Sequence, residues 1–219
     1  FLLFGLKNFN DNIGAVNPFV VKDIKVLKAG FDATYGKCVG GIADITGFDG
    51  NKIRPGMQVS LNNYTINAMV ETPTGENSSL LMAFRHTFHN LYDPKEVDFM
   101  QRNQTTPNAI EVIPDYVFKD ANLKYHYNNP DKSYVSVSLL LGQDVFSYNV
   151  DEDISQRINV KRTTKEENQQ RGGSFMVGKA FNNGWHTRLK MTYSHGKTEF
   201  DRNQQVSISG IPIPSNSKT

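Results

Sequence analysis

The stretch that decides the fold reads Trp185-His186-Thr187-Arg188-Leu189-Lys190-Met191-Thr192-Tyr193-Ser194-His195. Apolar and polar side chains alternate along most of it. Successive side chains of a β-strand point to opposite faces of a sheet, so the alternation predicts a strand with one apolar and one polar face. Trp185, Leu189, Met191 and Tyr193 fall on the apolar face.

The same period of two recurs from Gly56 onward and predicts seven strands. They lie at residues 57–61, 66–70, 80–88, 121–127, 135–145, 175–181 and 185–193. Within residues 175–181, Lys179 shares a face with apolar side chains. We interpret it as a lysine at the strand end that extends its ammonium group towards water.

The connections between these strands alternate in length. Short turns rich in Asn, Asp, Gly and Pro are predicted at residues 74–77, 129–132 and 182–184. Long polar loops are expected at residues 91–115 and 151–170, and an irregular tail after Asp201; the link at 62–64 is short. Short turns at one end of a sheet and long loops at the other are typical of an outer-membrane β-barrel.

Composition narrows the function classes. The 219 residues are 38% apolar with a net charge of +2, and mean hydropathy is −0.48. No run approaches the roughly 18 apolar residues of a membrane helix, but a membrane barrel needs apolar residues only at alternate positions. The small net charge does not favour nucleic acid as a partner. Cys38, the single cysteine, excludes an internal disulfide, and no side-chain set fits a catalytic, metal or cofactor motif.

Two all-β architectures remain open, a transmembrane antiparallel β-barrel and a soluble or surface-attached β-sandwich that binds glycans or mediates adhesion. Aromatic residues near the ends of the apolar face favour the barrel, because barrels carry aromatic girdles at the lipid boundary. Residues 185–193 would span about 20 Å of the membrane normal, close to the roughly 25 Å apolar band of such barrels. The predicted girdle residues are Tyr125, Tyr127, Trp185 and Tyr193.

Residues 21–36 and 40–45 resemble the closing segment of the plug domain of TonB-dependent outer-membrane receptors, of the Bacteroidetes type. The positions that match the family pattern are Ile24, Val26, Lys28, Gly30, Tyr35, Gly36, Gly40, Gly41, Ile42 and Ile45. In physical terms, Ile24 and Val26 would form a short buried strand, and Gly30 and Gly36 would allow turns with positive φ. Gly40-Gly41 would open the next strand. Ala29 and Cys38 depart from the family.

The resemblance implies both the architecture and the function. Residues 1–52 would be the C-terminal part of a plug and residues 53–219 the N-terminal, partial wall of a barrel of about 22 strands. Neither end of the sequence looks like a natural terminus, which suggests a piece of a longer polypeptide. Such receptors reside in the bacterial outer membrane and actively import scarce or bulky substrates. They catalyse no reaction and use no cofactor.

The implied partners are the TonB complex of the inner membrane, outer-membrane lipid, a surface lipoprotein, and a substrate that is a small molecule, a glycan or a peptide. Residues 1–50 are expected to pack on the concave face of the sheet. Arg85, Lys124, Arg188 and Lys190 would point into the lumen. They would hold the plug through its carboxylates, contact an anionic substrate, or simply make a hydrated lumen polar.

Overall fold

A computed structural model describes residues 16–28, 30, 40–62, 65–87, 111–155, 158–209 and 211–218. Over these residues the chain is all-β. The elements are a short 3-10 helix η1 (Pro18–Val20) and the strands β1 (Val21–Leu27), β2 (Ile42–Gly47), β3 (Gly56–Leu61), β4 (Thr65–Gly75), β5 (Ser78–Thr87), β6 (Glu111–Asn128), β7 (Ser133–Ser155), β8 (Ile158–Ala180), β9 (His186–Ile208) and β10 (Ile211–Lys218).

The strands form two antiparallel sheets. β1 pairs with β2 in a two-stranded sheet, and β3 to β10 form an eight-stranded sheet in which each strand lies beside its neighbours in sequence. Tight turns join β4 to β5, β6 to β7 and β8 to β9, which confirms the turns predicted at 74–77, 129–132 and 182–184. No helix within the described residues is long and apolar enough to cross a membrane.

The register of the large sheet gathers its apolar side chains on one face. One row runs through Met82, Leu123, Leu139, Gly173 and Tyr193, which are partners on five successive strands. The apolar face is exposed, with relative accessibilities between 37% and 72% for its largest exposed side chains: Met57, Val59, Leu61, Val70, Met82, Phe84, Leu139, Leu141, Phe175, Leu189, Met191 and Tyr193. The opposite face is polar and includes Arg85, Asp120, Lys124 and His126.

Polar rows border the apolar band at both ends. The row near the turns consists of Ser133, Lys179 and Thr187. The second row lies ten residues further along β7 and consists of Lys119, Gln143, Gln169 and Lys197. The ammonium of Lys179 reaches the turn, where it lies 2.9 Å from Asp131 Oδ2. Ten residues extend about 33 Å along a strand.

β7, β8 and β9 continue about twelve residues past that second row, a region we call the polar extension (residues 144–155, 158–168 and 198–208). The long loop expected at 151–170 is therefore wrong, as is the irregular tail after Asp201, which continues β9 and then forms β10. In the extension most residues are polar, and the apolar ones, such as Phe146, Val160 and Phe200, do not recur at every second position, so the sequence lacks a clear alternation there. Backbone pairing on both sides of β8 nevertheless keeps the strands in register.

Two further expectations need correction. The described part of the large sheet has eight strands where seven were predicted. β6 begins at Glu111, inside the loop expected at 91–115; residues 88–110 of that region lie outside the described residues, as do Asn63 and Tyr64 of the 62–64 link.

The close pairing of Gly178 with Tyr134 yields a test of this register. A Cβ added at Gly178 would lie 2.6 Å from the Tyr134 ring, whereas one at Gly142 on the same face would meet its nearest neighbour, Gln170, at 3.9 Å. Gly178→Ala should therefore lower the free energy of unfolding by about 1–3 kcal/mol, because the ring must move. Gly142→Ala, the matched control, should be neutral or slightly stabilising. Thermal unfolding of the purified full-length protein measures both; equal effects would contradict the register.

Candidate functional site

The polar face of β5 and β6 receives the segment that precedes the large sheet, and this contact is the candidate functional site. Residues 16–20 and 47–51 reach it from two directions. Phe48 N donates to Val20 O at 2.9 Å, which ties these two segments together before they meet the sheet. The site is therefore an interface between two parts of one chain.

A buried ion pair lies at the centre of this interface. Arg85 Nε and a terminal guanidinium nitrogen donate to Asp120 Oδ2 at 2.9 and 2.6 Å, and the two side chains are 4% and 3% exposed. The Arg85 guanidinium also lies 4.4 Å from the centroid of the Phe118 ring. Since a buried charge without a partner is strongly unfavourable, each member of the pair depends on the other.

Asn17 connects this ion pair to the preceding segment. Its side-chain oxygen accepts from Phe19 N at 3.0 Å and so caps η1, which begins with Pro18. Its side-chain nitrogen donates to Asp120 Oδ1 at 3.4 Å, and the residue is fully buried. One asparagine thus fixes the local helix start and anchors it to β6.

A second polar cluster lies towards the turn end of the same face. Lys124 Nζ donates to Gly47 O at 3.0 Å and lies 2.7 Å from Asp49 Oδ1. His126 Nδ1 is 3.8 Å from the same carboxylate oxygen, within ion-pairing range but too far for a hydrogen bond. Ser79 donates its hydroxyl to Asp49 O at 2.6 Å.

Gly50 allows the backbone to approach β5 closely. Its φ is +85°, and an added Cβ would lie 3.3 Å from Ser79 and 3.5 Å from the Cβ of Leu81. Leu81 is 1% exposed beneath it. A side chain at position 50 would be both strained and crowded, so glycine suits this crossing.

The electrostatics favour a charged Asp49. Burial raises the pKa of its carboxyl, but the hydrogen bond and charge of Lys124, helped by His126 and Lys22, outweigh burial and hold the pKa below its ordinary value. The contact between Asp49 and Lys124 is therefore an ion pair at neutral pH.

The plug-motif residues show a mixed outcome. Ile24 and Val26 lie in β1, but at 55% and 64% exposure the expectation that they are buried is wrong, because a two-stranded ribbon leaves one side of each strand open and no described residue covers it. The positive φ of Gly30, +69°, is confirmed. Gly40 and Gly41 lead directly into β2, as predicted, and Ile45 pairs with Ile24. Lys28, just after β1, is exposed, whereas Tyr35 and Gly36 lie outside the described residues.

The four predicted lumen cations share one face but do not meet. Arg85 and Lys124 bind the carboxylates of Asp120 and Asp49. Arg188 and Lys190 lie on β9 in register with the same face, and both are exposed.

The four predicted girdle aromatics are on the apolar face or beside it, at different depths. Tyr127 belongs to the row next to the polar row of Ser133, Lys179 and Thr187. Trp185 lies in the turn between β8 and β9 and is 73% exposed. Tyr125 and Tyr193 belong to rows inside the apolar band.

Sequence reasoning missed Asn17, Asp49, Asp120 and His126. Asp120 and His126 alternate with the apolar positions of β6, so the period of two placed them on the polar face without revealing their partners. Asn17 and Asp49 lie in irregular segments, where no local pattern indicates a contact 103 or 75 residues away.

A scan against protein-family models, a search of curated proteins and a search of solved structures each find no match.

Removing the charge of Asp120 should destabilise the interface. Asp120→Asn preserves the side-chain shape but leaves Arg85 buried and unneutralised, so we expect a loss of about 3–5 kcal/mol in the free energy of unfolding. Glu199→Gln is the matched control, because the Lys197–Glu199 pair is more than half exposed and such pairs contribute at most about 1 kcal/mol. Denaturant unfolding of both variants measures the difference. Similar losses would mean that the buried pair has no special role.

Acid should weaken the Asp49–Lys124 contact. Because the folded state depresses the pKa of Asp49, the contact stabilises fully above the unfolded pKa of about 3.9 and loses this contribution as pH falls through the lower folded pKa. We expect the wild type to be more stable than Asp49→Asn at pH 6, with the difference shrinking below about pH 4. Thermal unfolding across this range tests it; a constant difference would exclude charge pairing as the cause.

Proposed function

We propose that this chain is part of a TonB-dependent transporter that imports a scarce or bulky substrate across the bacterial outer membrane. Residues 53–219 would be the first part of the barrel wall and residues 1–52 the end of the plug. The observation that supports this most is the exposed apolar band on one face of the sheet.

The dimensions of the band suit a bilayer. Two polar rows lie about 33 Å apart along a strand, or about 25 Å along a membrane normal at a tilt of about 40°, which matches the apolar height of outer-membrane barrels. Side chains as large as Leu139 and Met191 are at least half exposed within it. An apolar patch of this extent marks a surface that contacts something other than water, and we attribute it to contact with lipid.

The polar face supports the same proposal. In a β-sandwich the apolar faces of two sheets pack against each other. Here the residues that precede the large sheet contact its polar face through Asn17 and Asp49, and no described segment covers the apolar face. A filled, polar interior and an apolar exterior are the arrangement of a plugged transporter.

A membrane location requires more strands than the eight described. β3 and β10 are the edges of the sheet, and unpaired backbone groups in hydrocarbon cost several kcal/mol each. Further strands of the same wall would close it. The TonB complex would pull on the plug, and movement at the contacts of Arg85 and Lys124 would open a path past the wall.

Neighbouring residues of β7 provide a sharp test of lipid contact. Leu139 is on the apolar face near the middle of the band, and Leu140 points to the polar face. Leu139→Arg should cost about 2–4 kcal/mol at the bilayer midplane and reduce the amount assembled in the outer membrane. Leu140→Arg, one residue away, should be tolerated because its environment is polar.

The measurement is the amount of full-length protein recovered in heat-resistant form from isolated outer membranes. If both variants assemble equally well, the apolar face does not contact lipid and the β-sandwich module becomes the better hypothesis. Recovery of the wild type in a soluble fraction would also contradict the proposal.

A further inference from the structure

Two arginines of the polar extension lie side by side without a described acidic partner. Arg202 of β9 is directly opposite Thr164 of β8, and Arg162, two residues before Thr164, is opposite Gln204. Arg162 and Arg202 are therefore diagonal neighbours, roughly 7–8 Å apart at their backbones. Asp120 pairs with Gly142 of β7, which pairs with Gln170 of β8. Arg162 and Thr164 lie an even number of residues before Gln170, so Arg162 and Arg202 are on the same polar face as Asp120.

Several polar atoms at this place are shielded from solvent but unpaired. Among the described residues, the Nε atoms of Arg162 and Arg202 have no hydrogen-bond partner, nor does the hydroxyl of Thr164, a residue that is only 2% exposed. Glu166 lies on the same face and accepts from Asn168 Nδ2 at 3.2 Å. Unpaired buried donors are costly, so a site that keeps three of them is suited to a ligand that accepts hydrogen bonds.

Aromatic side chains lie next to the arginines on this face. Phe146 and Phe200 are the two cross-strand partners of Glu166, one row from Thr164 and Arg202. Both are half-buried. Arginines pair well with carboxylates and phosphates, and the aromatic rings add an apolar surface for the rest of a ligand.

We propose that Arg162, Arg202, Thr164 and the two phenylalanines form a binding site for an organic anion, a carboxylate or a phosphate ester, and that this anion is the transported substrate. The second half of this statement rests on the proposed function. The same chemistry could come from lipid phosphates, but the arginines lie on the face opposite the apolar band, which favours a soluble ligand.

Binding to full-length protein in detergent tests the site. The probes are inorganic pyrophosphate and phthalate, with phthalamide as the neutral analogue of phthalate. We expect both anions to bind by titration calorimetry and phthalamide not to bind. Arg162→Gln and Arg202→Gln should each weaken binding at least about tenfold, because each removes a charge-assisted hydrogen bond. Arg171→Gln, on the same strand but the opposite face, should leave the affinity unchanged.

A thermal readout separates binding from structure. Pyrophosphate should raise the melting temperature of the wild type and not that of the Arg162→Gln/Arg202→Gln variant, whereas without ligand the variant should be at least as stable as the wild type. Equal affinity of wild type and double variant, no binding of either anion, or displacement of pyrophosphate by lipopolysaccharide micelles would each overturn the proposal.

Membrane fractionation of the same preparations keeps the two proposals apart. Protein that is not in the outer membrane but binds anions through the arginine pair would contradict the transporter and leave the binding site standing. If the protein is in the outer membrane and both arginine variants bind anions with wild-type affinity, the result would contradict the binding site alone.

Discussion

Apolar side chains on one face of a single sheet must be covered, because each Å² of apolar surface left in water costs roughly 25 cal/mol. The described part of the chain does not cover that face, and only four of its apolar residues are buried: Leu81, Ala83, Phe118 and Val160. Within the described residues, the large sheet therefore has no second layer packed on its apolar face. Its polar face, rather than its apolar one, makes the internal contacts. The proposed transporter, with an exterior that meets lipid and an interior that is polar, would explain both facts together.

Contacts through a polar face hold the parts of a chain together differently from an apolar core. Apolar packing is not directional, whereas the bonds from Arg85 and Asn17 to Asp120 fix both position and orientation. A buried ion pair contributes little net stability because desolvation offsets its attraction. Here the pair joins β5 to β6 and holds the Asp120 carboxylate, whose other oxygen accepts from Asn17 of the preceding segment. The Lys124–Asp49 contact is more exposed and correspondingly easier to break. In the proposed transporter, contacts of unequal strength would suit a segment that must be held and then move.

How much of this the sequence could predict depends on whether the two faces of a strand differ. Between Ser133 and Gln143 they do, and the period of two gave the strand and its faces correctly. From Asp144 onward most residues are polar and the apolar ones do not alternate regularly, so residues 151–170 look like a loop although β7 and β8 pair through them. The contact of Asn17 with Asp120 leaves no local trace, because it depends on tertiary placement. Gly30 was predictable since backbone conformation alone demands it.

The polar extension has a physical requirement of its own. Strands with polar residues on both faces gain little from burial, so β8 depends on backbone pairing with both neighbours and on side-chain bonds such as Thr198 to Asn168 at 2.7 Å and Gln143 to Glu167 at 2.7 Å. A mobile loop would need none of these. Rigid strands hold side chains at fixed separations, which a binding surface requires and a solvated loop does not provide. The spacing of Arg162 and Arg202 is therefore set by the sheet itself, and a ligand that binds them loses little affinity to the ordering of the chain.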